Sequence, residues 1–130
     1  MTAAAWWWVV GVAAAAMLAR WLVGPACRAR DALARRRQAK QRAEALLLAW
    51  LTPGQRAQYQ ARGWFEVLTA AGHRYRVRPG GVVRLDVRGS AYCIEATTPV
   101  PIADEMLANK LLLETDERCF LATAHRYPYR

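Results

Sequence analysis

The chain opens on one unbroken apolar stretch and continues, after a basic interval, in short alternating ones. From Ala3 to Ala19 no residue is charged and none is proline; Arg20 interrupts, and Trp21 to Cys27 is apolar again apart from Gly24-Pro25. The 21 residues from Ala3 to Val23 would rise about 31 Å as a helix, which matches a hydrocarbon core of ~30 Å. Trp6, Trp7, Trp8 and Trp21 bracket the run, as interfacial aromatics do. Arg20, within a turn of its end, can snorkel to the headgroups. Gly24-Pro25 is expected to stop or kink the helix. Gly11, Ala15 and Ala19 recur every fourth position, a spacing that allows close helix contact but arises easily among alanines.

Residues 28–50 contain no glycine or proline and are rich in Ala, Leu, Arg, Gln and Lys, the strongest helix formers. Their first half has almost no apolar face. From Ala43 onward Leu46, Leu47, Trp50 and Leu51 mark entry into a core. Next comes a complete helix sentence: Thr52 as N-cap, Pro53 at the first helical position, Gln55 closing a capping box, and Gly63 as the stop. Period-two alternation follows. Phe65 and Val67 alternate with Trp64, Glu66 and Leu68; His73, Tyr75 and Val77 with Arg74, Arg76 and Arg78; Val83, Leu85 and Val87 with Arg84, Asp86 and Arg88; and Tyr92 and Ile94 mark a fourth run. Glycine at each break predicts a four-stranded antiparallel meander. A three-residue loop, Pro79 to Gly81, would pair Tyr75 with Leu85 and Val77 with Val83, and set Arg74 against Asp86 and Arg76 against Arg84. A two-residue loop would set the arginines against the valines and leucine and is excluded on that ground. Pro99 and Pro101 lead into a helix from about Ala103, with Ile102, Met106, Leu113 and Phe120 along one stripe. Thr115-Asp116-Glu117 resembles a second N-terminus and would split it into a pair. The predicted organisation is α+β: a transmembrane anchor over 1–27, a basic juxtamembrane helix over 28–50, and a small domain over 51–130.

Charge sharpens this picture. The chain carries +9 overall. Arg28, Arg30, Arg35, Arg36, Arg37, Lys40 and Arg42 face one acid, Asp31, which gives +6 in fifteen residues, whereas 43–130 carries only +2. A cleavable signal needs its positive charge before the apolar segment, and here it comes after. Basic residues mark the cytoplasmic side, so the N-terminus is expected outside and the domain in the cytoplasm, or on the corresponding side of a virion membrane. The seven basic residues would contact anionic headgroups or phosphate. Arg74, Arg76, Arg78, Arg84 and Arg88 would share one sheet face that suits an acidic partner. With the aromatics assigned to the core side, base stacking is disfavoured.

Candidate chemistry is sparse. Cys27, Cys93 and Cys119 form neither a disulfide framework nor a zinc pattern. Cys27 stands where S-acylation is chemically accessible. His73 and His125 have no partner at ligand spacing, and Ser90, Glu66, Glu95 and Asp104 form no acid/base constellation. Neither "RPGG" nor "RGS" has the helix and Lys-Ser/Thr of a phosphate loop. No metal, cofactor or small-molecule substrate is called for.

Gly63-Trp64-Phe65-Glu66-Val67, Arg74-Tyr75-Arg76-Val77, Cys93 and the run from Pro101 through Asp104, Met106, Leu107, Ala108, Lys110, Leu111, Leu113, Glu114, Asp116 and Glu117 to Phe120-Leu121 resemble a small domain of uncharacterised bacterial and phage-encoded proteins. The resemblance implies no activity or ligand. The expected function is therefore a non-enzymatic, single-pass structural or accessory subunit of a membrane assembly, either a virion with an internal membrane or an inner-membrane complex. Protein partners or self-association are expected. The alternative is a nucleic-acid-binding module that uses the arginine face and the neck.

Overall fold

The computed structural model describes residues 3–94 and 96–128, with side chains described outside 3–10 and 19–26. Two compact units divide at Gln38 and Ala39. Helix α1 (Ala3–Trp50) runs through both. It does not stop at Gly24-Pro25, contrary to expectation. Pro25 withholds a single N–H, and the helix formers on either side carry the backbone past it. Among the described residues no helix is long and apolar enough to cross a membrane. The anchor tryptophans Trp6, Trp7, Trp8 and Trp21 lie outside the residues whose side chains are described.

The second unit is α+β. Ala43, Leu47 and Leu51 enter its core, while Leu46 and Trp50 remain on the surface. Arg56 ends α1 by donating from Nε and Nη2 to the Leu48 carbonyl at 3.1 and 2.8 Å. Helix α2 (Pro53–Arg62) forms as its sequence dictates. The Thr52 hydroxyl accepts from the Gln55 N–H, the Gln55 side chain accepts from the Thr52 N–H, and Gly63 closes the helix at φ 74°.

A five-stranded antiparallel sheet follows in chain order: β1 (Phe65–Leu68), β2 (Arg74–Arg78), β3 (Gly81–Arg84), β4 (Ser90–Cys93) and β5 (His125–Pro128). The fifth strand was not expected; "HRYP" is short, ends in proline and shows no apolar alternation. Between β4 and β5 lie α3 (Ile102–Thr115) and α4 (Glu117–Thr123). The break at Thr115-Asp116-Glu117 is real, and the Asp116 carboxylate caps α4 by accepting from the Cys119 N–H at 2.9 Å. One sheet face packs on the helices through Phe65, Val67, Tyr75, Val77, Val82 and Tyr92, against Leu47, Met106, Leu113 and Phe120. Ile102, expected in this core, is exposed.

The β2–β3 register differs by one from expectation. Tyr75 pairs with Arg84, Arg76 with Val83, Val77 with Val82 and Arg78 with Gly81, so the loop has two residues, Pro79 and Gly80. Proline followed by a glycine at φ 79° is the sequence of a type II turn. The exclusion of this loop assumed that one face of β3 is solvated, yet Val82 and Val83 are both buried. On the outer face Val83 lies between Arg76 and Ala91, and Ala91 between Val83 and Tyr127. Gly81 also fixes this arrangement. Its φ is 147°, and a Cβ there would meet the Tyr127 hydroxyl at 2.5 Å and the Tyr92 carbonyl at 2.8 Å. Gly81→Ala is expected to destabilise the domain by about 1–3 kcal/mol, read as a lower denaturation midpoint with an unchanged m-value.

Candidate functional site

The register determines what each sheet face presents. Across the outer face, Glu66, Arg76, Val83, Ala91 and Tyr127 form one row, and Arg78, Gly81, Cys93 and His125 the next. Arg74 lies beside Leu68 on the same face. Three of the five arginines assigned to this face are therefore there: Arg74, Arg76 and Arg78. Arg84 is not. It pairs with Tyr75 on the helix-covered side, its guanidinium 5.8 Å from the Tyr75 ring and its Nε 3.9 Å from Asp86. Arg88 is exposed in the turn before β4. The expected Arg76–Arg84 juxtaposition does not exist, because the one-residue shift puts Val83 opposite Arg76.

Glu66 organises the outer face. Its carboxylate accepts from Arg74 at 2.6 Å and from Arg76 at 3.1 Å. Partial burial raises its pKa, but the two guanidinium groups more than reverse this, and the carboxyl lies below its ordinary value. Arg76 also lies over the Trp64 ring, 4.1 Å from its centroid, and Arg62 at the end of α2 is 5.1 Å from the same ring. Tyr127 crosses from β5 to place its hydroxyl 3.4 Å from the Gly80 carbonyl. Two aromatic side chains thus share the face with the arginines, which corrects the assignment of all aromatics to the core side. For Trp64 the signal was present in the alternation, which groups it with Glu66; for Tyr127 it was hidden with the unexpected strand.

A second polar cluster lies between the helices and the β1–β2 loop. Glu117, at the first position of α4, accepts from the Tyr75 hydroxyl at 2.5 Å, from His73 Nδ1 at 2.8 Å and from the Thr69 hydroxyl at 2.8 Å. A carboxylate only accepts, so Nδ1 of His73 carries the proton. Burial acts to raise the Glu117 carboxyl, and the three donors lower it below the ordinary range. Burial, then the bond to Glu117 and its charge, push the Tyr75 hydroxyl well above its usual value. The cluster staples α4 to the hairpin and engages both carboxylate oxygens. Sequence reading found no partner for His73 because Glu117 is 44 positions away.

The remaining candidates are dispersed. Arg28, Arg30, Arg35, Arg36, Arg37, Lys40 and Arg42 are exposed on α1. Cys27 and Cys119 are exposed, and Cys93 is half-buried opposite His125. Ser90 is buried on β4 and accepts from Arg126 at 3.0 Å. Glu95 lies outside the described residues. Among the described residues no group of three or more His, Cys, Asp or Glu could hold a metal ion. Comparison with known proteins found no matching family model, no curated relative and no similar solved structure.

Proposed function

We propose that the chain is a non-enzymatic accessory protein held at a membrane by the N-terminal part of α1, with its α+β domain making protein contacts on the side marked by the basic residues. One observation carries this reading. On α1 the described part of the apolar run, 11–18, leaves Val12, Met17 and Leu18 exposed at 64, 73 and 63%. An apolar helical surface of this kind needs lipid or protein around it. The sequence continues it to about 21 residues and follows it with seven basic side chains, the order that interfacial electrostatics favours. The same helix then supplies Ala43 and Leu47 to the domain core. The assembly it serves is either a virion with an internal membrane or an inner-membrane complex, with the domain on the cytoplasmic side in a cell.

The test is fractionation. The protein is expected in the membrane pellet and to stay there through alkaline carbonate washing. Release by carbonate would overturn the reading, and a discrete soluble oligomer in that fraction would assign the apolar run to helix–helix packing.

A further inference from the structure

We propose that the outer face of the sheet binds single-stranded nucleic acid, with Arg62, Arg74, Arg76 and Arg78 taking phosphates and the Trp64–Arg76 stack and Tyr127 receiving bases. This stands apart from the membrane reading and fails or holds independently of it. Charge is the first support. Arg74, Arg76 and Arg78 lie on the face, Arg62 sits over Trp64, and Glu66 is the acid between them. Helices α3 and α4 on the other side of the sheet, with Asp116, carry Asp104, Glu105, Glu114 and Glu117 against only Lys110 and Arg118. These two helices are net acidic, so the arginine-bearing outer face is the side that attracts polyanions. The grip on Glu66 shows the chemistry the face accepts. Two guanidinium groups already converge on one carboxylate at 2.6 and 3.1 Å, a geometry that serves phosphate equally well.

The aromatics decide which polyanion. Arg76 lies over Trp64 at 4.1 Å, so a planar guanidinium is held in place, and unpaired bases stack on guanidinium planes as well as on aromatic rings. The Trp64–Arg76 stack lies at β1 and β2, and Tyr127 reaches from β5 across the face towards Gly80 and Gly81, so the two platforms share the middle of the face. Neighbouring strands are about 4.8 Å apart, and a strand laid across the face would span both. A duplex hides its base faces and is read by elements inserted into its grooves, which a sheet face of this kind does not offer. An interfacial lipid site would project its large apolar rings outward, whereas Trp64 is half-buried and covered by Arg76. An acidic polypeptide would use the arginines and leave the stacking surfaces unused.

The experiment uses the full chain in mild detergent, with fluorescence anisotropy of a labelled oligothymidine across a salt series. Circular dichroism reports folding of each variant. The neck arginines contribute to binding in every variant, so the readout is the difference between variants. Arg74→Gln with Arg76→Gln and Arg78→Gln is expected to weaken binding at least tenfold and to reduce the salt slope by about 2, since each phosphate contact on a single strand contributes about 0.7. Glu66→Gln removes the internal competitor and is expected to tighten binding severalfold. This second variant decides the matter if the triple variant does not fold. Oligothymidine is expected to compete better than polyglutamate, duplex DNA of equal charge, or anionic vesicles. Wild-type affinity in a folded triple variant, or no effect of Glu66→Gln, would overturn the proposal. So would equal or better competition by polyglutamate, which would indicate an acidic protein partner, by vesicles, which would indicate lipid, or by duplex, which would indicate charge alone.

Discussion

Phe120→Ala is expected to cost the domain about 4 kcal/mol, within the range of phenylalanine truncations in well-packed cores. Phe120 has no exposed surface and is the one buried residue of α4. Its ring meets Tyr75 and Tyr92 edge-on, with centroids 6.2 and 6.0 Å away, so truncation removes two aromatic contacts as well as buried area. It also frees the helix that carries Glu117. The loss should therefore appear as cooperative destabilisation together with local exposure of the Thr69–His73 loop. Urea denaturation measures the first and amide hydrogen exchange the second. A change below about 1 kcal/mol would mean that α4 is not part of the core.

Glu117→Ala should have the next largest effect, about 2–4 kcal/mol. Three donors lose their acceptor at once. Tyr75 is completely buried, and an unsatisfied buried hydroxyl costs about 1–3 kcal/mol by itself. Glu117→Gln keeps an acceptor but gives up the charge and should fall between the two. The pH dependence follows from the same group. The folded-state pKa of Glu117, like that of Glu66, lies below the ordinary glutamate value. Their stabilisation is therefore fully present above the unfolded-state value and is lost as pH falls through the depressed folded-state one. Stability should decline on acidification below about pH 4.5 in the wild type and decline less steeply in Glu117→Gln. An equally steep decline in that variant would remove Glu117 from the acid transition.

Apart from Gly24-Pro25, which does not stop α1, the local signals in the sequence match the structure, whereas the long-range ones do not. Thr52, Pro53, Gln55 and Gly63 lie within a dozen residues of one another and state their helix without reference to anything else. The Asp116 cap is equally local. The β2–β3 register is not, because a two-residue and a three-residue loop differ in which side chains meet on the outer face. That depends on Tyr127 reaching Gly81 from the far end of the chain. Arg84 was placed on the wrong face for the same reason. The Glu117 cluster joins residues 42 to 48 positions apart, and no spacing in a single sequence reveals such a meeting. The outer face was half legible: three of its arginines and Trp64 follow from alternation, and Tyr127 does not.

Two of the three glutamines of α2, Gln55 and Gln58, bear on how the protein meets others. The Gln58 side chain accepts from the Glu66 N–H and the Gln55 side chain donates to the Glu66 carbonyl, both at 2.9 Å. These are main-chain groups on an edge strand, the groups an incoming strand would need. At the opposite border β5 ends in Pro128, which has no N–H to offer. The sheet is thus protected against lengthening, by side-chain mimicry at one border and by proline at the other. Self-templated growth of the sheet into fibres is therefore opposed at β1.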